Sequence, residues 1–305
     1  MLTADRVPAI GQYDERRPEI TSWRLEQMRR GGVEWCTYQH EWSPNLRQLL
    51  MNHCAENHPD DADIQFAFSW WDVLSSSSDG AAYYAEPKWT RDAVAESLRQ
   101  YGAAVYPFTR TASYLRVGER PVLFRGAAQT LRFYERWGIS PAEVMATIAS
   151  AFPVRPYFVA SGTDHEVYPL LRSWGFDAFT EYLLYGRDWL DVTRIYRDYW
   201  ATSFVIAEES GLDFWVPALA GYDNRAFHAP IGDRVFMPTP AEFTAHLAEA
   251  HRFAREHYDV TRGRVISYAW NEYFEGGVLE PMQPDMLHSG DEMLRAHAEA
   301  ARVAA

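Results

Sequence analysis

Basic side chains are scarce in this sequence of 305 residues: 29 lysines and arginines stand against 42 aspartates and glutamates, for a formal net charge of −13. Phosphate backbones and anionic leaflets are held by clustered cations, so no nucleic acid and no membrane surface is expected as a partner. Cysteine is nearly absent. Cys36 and Cys54 cannot make a disulfide framework, no CxxC pair or His/Cys cluster has zinc spacing, and each thiol reads as buried. No apolar run approaches the roughly 20 residues that span a bilayer. Near the start, Asp5, Arg6 and Pro8 interrupt the apolar stretch that a secretory signal needs, so a cytoplasmic or already processed secreted protein is expected. HExxH, GxGxxG, the phosphate-loop pattern and GxSxG are all missing, and no metal or organic cofactor is implied.

What the chain has in quantity is aromatic and apolar material: 16 Phe, 12 Trp, 18 Tyr and 47% hydrophobic residues overall. That suffices for a large core and carries no signature of disorder. Trp and Tyr combine an apolar face with a polar handle, which suits both cores and sugar-binding surfaces.

Short apolar runs alternate with segments of helical period, the pattern of βα units around a mostly parallel sheet. Strands are predicted at Val33 to Gln39, Ile64 to Ser69, Pro121 to Phe124, Tyr157 to Ala160, Asp177 to Thr180, Phe214 to Ala218 and Arg264 to Tyr268. Helices are predicted from Arg16 to Arg30, from Ser43-Pro44 to about His53, at Thr90 to Tyr101, Glu166 to Trp174, Leu190 to Ser210 and Glu292 to Val303. Ser140-Pro141-Ala142-Glu143 and Thr239-Pro240-Ala241-Glu242 are capping boxes that start two more. Seven strands followed by helices, with no long linker, predict a single α/β domain over residues 1–305, a (β/α)8-type TIM barrel. Only Val7 to Tyr13 precedes the first helix, and Pro8 and Gly11 make the first strand short, irregular or missing.

Barrel enzymes carry their chemistry on the loops after the strands. Those positions hold His40, Glu41 and Trp42, then Trp70 and Trp71, then Glu181 and Tyr182, then Tyr222, Asp223 and Asn224, and finally Trp270, Asn271, Glu272 and Glu275. Aromatic and acidic groups therefore converge on one face. On the helix after Thr239, His246, His251 and His257 have spacings unsuited to one face and read as solvated.

The most informative segment is VISYAWNEYFEGGVLEP, Val265 to Pro281. An apolar strand runs into two carboxylates three residues apart, followed by Gly276-Gly277, which permit a tight turn. In such a turn the two side chains can point to one side at the spacing that retaining glycosidases use. Carboxyls that close resist ionising together, which divides them into an acid and a base. Taken alone, Glu-x-x-Glu is also the pattern of a solvated acidic loop; its place after an apolar strand favours chemistry.

Ala269 to Pro281, AWNEYFEGGVLEP, resembles the AWNEWxEGxxLEP pattern of the WbsX-like and glycoside hydrolase family 99-like barrels. GQYD at Gly11 to Asp14, VEWCTYQHEW at Val33 to Trp42, GERPVLFR at Gly118 to Arg125, GFDAFTEY at Gly175 to Tyr182 and GYDNRAF at Gly221 to Phe227 resemble further family segments in order. The resemblance implies a retaining glycoside hydrolase that cleaves an α-linked, mannoside-type glycan or a bacterial polysaccharide through a 1,2-anhydro sugar. It assigns Glu272 as base on the sugar 2-hydroxyl and Glu275 as general acid and base. Trp270 and Asn271 would shape the subsite, with Tyr222, Asp223, Asn224, Glu181, Tyr182, Trp70 and Trp71 as sugar contacts. The sequence departs from the pattern in three places: the family's first strand has no counterpart, Trp70-Trp71-Asp72-Val73 stands where WbsX-like members read WANEN, and Tyr273 replaces the Trp of EWxE.

Two other functions fit the same resemblance. One is a glycosyltransferase or polysaccharide-assembly enzyme of WbsX type, although the one Asp-x-Asp, Asp61-Ala62-Asp63, precedes a strand and so falls on the wrong barrel face. The other is a non-catalytic carbohydrate-binding barrel.

Overall fold

A computed structural model describes residues 7–14, 17–41, 63–71, 89–163, 165–225, 234–273, 275–284 and 289–304. The helix predicted after Ser43 lies outside the described residues. The chain divides into two compact units, one of residues 35–180 with 210–212, the other of residues 1–34, 181–209 and 213–305.

The first unit is a parallel sheet in sequence order. Trp35–Glu41 pairs with Gln65–Trp71, then come Arg120–Gly126, Tyr157–Ser161 and Ala178–Thr180. In Gln65–Trp71 every residue from Phe66 to Trp70 is buried, the pattern of a strand covered on both faces rather than one. Parallel neighbours need crossovers, and the helices Arg91–Val105, Pro141–Ala149 and Tyr168–Trp174 supply them. Ser140 caps Pro141–Ala149 with the reciprocal capping box expected from the sequence. Cys36 is half-buried rather than buried.

The second unit contains the helices Pro18–Arg30, Trp189–Ser210, Pro240–Glu256 and Glu292–Ala304. Its parallel strands Val216–Leu219 and Val265–Tyr268 pair in register, Leu219 opposite Tyr268. The indole N–H of Trp200 donates to the carbonyl of Pro217 at 2.9 Å, tying helix to strand. The strand predicted from Phe214 to Ala218 is broken at Trp215 into Asp213–Phe214 and Val216–Leu219; the Arg264 guanidinium lies 4.7 Å from the centre of the Trp215 ring. Residues 7–14 form no strand, only one bridge, Pro8 to Met282.

His246 corrects the reading of a solvated polar helix. It is 2% exposed and lies against Trp189, Tyr196 and Trp200. Its Nε2 accepts the backbone N–H of Leu219 at 3.4 Å. Burial pushes its pKa down to about 4.

Candidate active site

Because Val216–Leu219 and Val265–Tyr268 are parallel, their carboxyl ends lie at the same edge, and each is followed by a short antiparallel hairpin. Tyr222–Asp223 pairs with Val235–Phe236. Asn271–Glu272 pairs with Gly277–Val278, Glu272 opposite Gly277. The second hairpin carries both candidate carboxylates, Glu272 on its strand and Glu275 in its turn, where Gly276 takes φ +72°, a conformation that glycine adopts without a steric penalty. The two hairpins are joined: the N–H of Asp223 donates to the carbonyl of Glu275 at 2.6 Å.

Tyr268, the last residue of its strand, reaches across this hairpin. Its hydroxyl donates to Oε2 of Glu275. Its ring meets Tyr182 edge-on with centroids 4.7 Å apart, and the two phenols share a hydrogen bond. Burial pushes both phenols above their ordinary pKa, and the negative charges of Glu272 and Glu275 push them further. The phenols therefore stay protonated and remain donors. The charges of both glutamates act on the same pair of tyrosines, and both side chains are half-buried.

The room for this arrangement is made by glycine. A Cβ at Gly277 would fall 2.5 Å from the Tyr268 ring. On the other hairpin, Tyr222 is 1% exposed, stacked on Phe236 at 5.1 Å and edge-on to Tyr185 at 5.2 Å. Burial, a hydrogen bond with Tyr185 and the charge of Glu275 raise its phenol as well.

No protein-family model and no curated protein matches the sequence. Solved structures do match. Two structures of the GH99 endo-alpha-mannosidase from Bacteroides thetaiotaomicron align at 15% identity over 98% of this chain, with TM-scores of 0.61 and 0.60, covering 88% and 83% of those chains. The chain has a GH99-like fold. A structure named as a glycoside hydrolase-like protein aligns with a TM-score of 0.70 at 15% identity, covering 98% of this chain and 90% of that one. A GH113 beta-1,4-mannanase aligns with a TM-score of 0.59 at 7% identity over 95% of this chain and 96% of that one. The GH99-like fold is a (β/α)8-type TIM barrel, the class expected from the order of strands and helices.

Within the GH99-like fold, Trp270, Asn271, Glu272 and Glu275 fall on one hairpin with Tyr182 beside them. Glu181 is half-buried, and its Oε1 accepts the N–H of Tyr182 at 2.7 Å. Asp223 and Asn224 are used by the protein itself. Asp223 is 3% exposed and grips Arg225 through both oxygens at 2.9 and 2.7 Å. Asn224 is 0% exposed, and its Oδ1 accepts the N–H of Arg234 at 2.7 Å. These two shape the hairpin where sugar contacts were expected.

In the other unit, Trp70 is 4% exposed, stacked on Tyr101 at 5.0 Å, with the Arg125 guanidinium 4.4 Å from its ring centre. Its indole is spent on packing instead of facing a sugar. Trp71 is half-exposed, and its N–H donates to Ser69 Oγ at 3.0 Å. The indole lies so close to Gly126 that a Cβ there would sit 2.1 Å from it. His40 and Glu41 end the strand Trp35–Glu41, and their side chains, with the whole of Trp42, lie outside the described residues.

The sequence reading did not single out Tyr268 or Glu280. Glu280 is 1% exposed. Its oxygens accept from Arg24 Nε at 2.9 Å, Trp270 Nε1 at 3.1 Å, Tyr13 at 2.6 Å and Tyr273 at 2.6 Å. A carboxylate set between Leu279 and Pro281 was the available signal, since a charge in an apolar run must find partners. Among the described residues, no group of three or more His, Cys, Asp and Glu could hold a metal ion, and no helix is long and apolar enough to cross a membrane.

Proposed function

We propose that this chain is a retaining glycoside hydrolase acting on an α-linked, mannoside-type glycan or a bacterial polysaccharide, with residues 1–305 working as one barrel domain. Glu272 is the base on the sugar 2-hydroxyl, and Glu275 is the general acid and base at the glycosidic oxygen. The observation that carries this reading is the Tyr268 hydrogen bond to Glu275 Oε2, with the charges of both glutamates bearing on the same Tyr182–Tyr268 pair. The phenol's hydrogen bond holds Oε2 of Glu275 and so sets the orientation of its carboxyl group. The GH99-like fold and the AWNEYFEGGVLEP segment support the choice of sugar and of roles.

In the first step Glu275 gives its proton to the glycosidic oxygen as the C1–O bond breaks. Glu272 takes the proton of the 2-hydroxyl, whose electron pair closes on C1 to form a 1,2-anhydro sugar. In the second step water adds to C1, its proton passes to Glu275, and the opened O2 recovers its proton from Glu272. Two inversions at C1 give net retention, and both glutamates end as they began. Trp270, Asn271, Glu181, Tyr182 and Trp71 are the proposed sugar contacts, their rings stacking on C–H faces and their polar atoms meeting hydroxyls.

The test is a screen of α-mannosides and bacterial polysaccharides for release of reducing ends. Release by the wild type that is lost in Glu272→Gln and in Glu275→Gln supports the reading. Release unaffected by both substitutions would sink it.

A further inference from the structure

Glu280 lies outside the acid and base roles, yet its setting is more elaborate than packing requires. Each of its oxygens accepts two donors: Oε1 from Arg24 and Trp270, Oε2 from Tyr13 and Tyr273. Its side chain is 0% exposed and that of Arg24 10%. Arg24 also donates to the Tyr13 hydroxyl. A buried ion pair is often no more stable than an apolar pair of the same shape, so its presence is weak evidence for stability alone. Fully satisfied, such a network fixes one geometry.

The donors divide into two pairs. Arg24 and Tyr13 come from the Pro18–Arg30 helix and the segment before it, and they fix Glu280 to the body of the unit. Trp270 and Tyr273 bracket Asn271–Glu272, the hairpin strand that carries the proposed base. Burial and the charge of Glu280 keep the Tyr273 phenol protonated and donating.

We propose that Glu280 is a positioning residue for Glu272, holding the hairpin at a fixed place through Trp270 on one side and Tyr273 on the other. Position 273 then requires an aromatic ring that bears a donor. That accounts for Tyr273 standing where the AWNEWxEGxxLEP pattern has Trp, since phenol and indole each carry one. The catalytic part of this proposal rests on the reading of Glu272 given above.

The experiment compares the full-length wild type with Tyr273→Phe, Tyr273→Trp and Glu280→Gln by amide hydrogen exchange over residues 270–275, by thermal unfolding, and by kcat and KM on an α-mannoside. Tyr273→Phe is expected to fold, to exchange about tenfold faster in that segment alone, and to lose about 10²-fold in kcat with KM changed less than about threefold. Tyr273→Trp is expected to restore both. Glu280→Gln, which leaves Arg24 without its counter-charge, is expected to lose more; if it fails to fold, Tyr273→Phe carries the test. Exchange in Tyr273→Phe equal to wild type, or no rescue by Tyr273→Trp, overturns the proposal. A wild type that cleaves neither α-mannosides nor bacterial polysaccharides defeats the catalytic reading, while the exchange comparison still decides whether Glu280 holds the hairpin.

Discussion

The hydroxyl of Tyr268 donates to Oε2 of Glu275, so the last residue of a strand, and its one buried residue, addresses a carboxylate in the turn of the hairpin that follows it. The strand is fixed by its register with Val216–Leu219, and the hairpin by its own pairing and by the Asp223 to Glu275 bond. A rigid element thus sets the orientation of that carboxylate.

Tyr268→Phe keeps the ring and removes the donor. A hydrogen bond to a charged group contributes about 1.5–3 kcal/mol, so kcat on an α-mannoside is expected to fall about 10- to 100-fold. Thermal stability is expected to fall as well, by no more than about 1.5–3 kcal/mol. Full activity in this variant would show that the phenol does not assist Glu275.

Gly277→Ala tests the same relationship without touching a functional group. The added methyl carbon would lie 2.5 Å from the Tyr268 ring and 3.2 Å from the Gly221 carbonyl oxygen, and the carbonyl, as backbone, cannot turn away. The ring must move, and about 1–3 kcal/mol of stability is expected to go with it. Thermal unfolding and kcat, measured together, should both fall.

Trp71 is tested in the same way from Gly126. A Cβ at Gly126 would displace the indole, so Gly126→Ala and Trp71→Ala are expected to raise KM in parallel, by about tenfold for a lost stacking contact of ~1–1.5 kcal/mol. Unchanged KM in Trp71→Ala would remove Trp71 from the sugar contacts.

Acid stability follows from His246. Its pKa is held down at about 4 by burial, against about 6.5 in an unfolded chain. Above pH 6.5 neither state binds this proton and its contribution is complete. As pH falls from 6.5 to about 4 the unfolded chain takes up a proton that the folded chain does not, and roughly 3 kcal/mol is lost. His251, also lowered to about 4 by burial, acts in the same direction. Urea unfolding at pH 7 and pH 4.5 should therefore show a smaller loss in His246→Leu than in the wild type. An equal loss in both would mean that His246 is not the group responsible.

The fold was legible wherever a local signal and the tertiary structure agreed. Ser140 and Thr239 form the capping boxes that their sequences announce, and the strands Tyr157–Ser161 and Val265–Tyr268 lie within a residue of their predicted limits. The place of Glu272 and Glu275 just after a strand was legible because an apolar run followed by a glycine pair reads as a strand end. His246 was misread from its polarity. Its place three residues after Phe243 and four before Ala250, both buried, belongs to the apolar stripe of the helix. Trp70 and Asn224 were misread because sequence position tells which strand end a residue occupies and not whether its neighbours cover it. Glu280 needed the structure, since its partners Tyr13 and Arg24 are separated from it by 267 and 256 residues.

The central claim is a retaining cleavage by Glu272 and Glu275. Proton NMR of the first-formed sugar during hydrolysis of an α-mannoside tests it most directly. The account predicts that the α-anomer appears first and that neither Glu272→Gln nor Glu275→Gln produces it at a detectable rate. Initial release of the β-anomer, or undiminished release of the α-anomer by either variant, would contradict it.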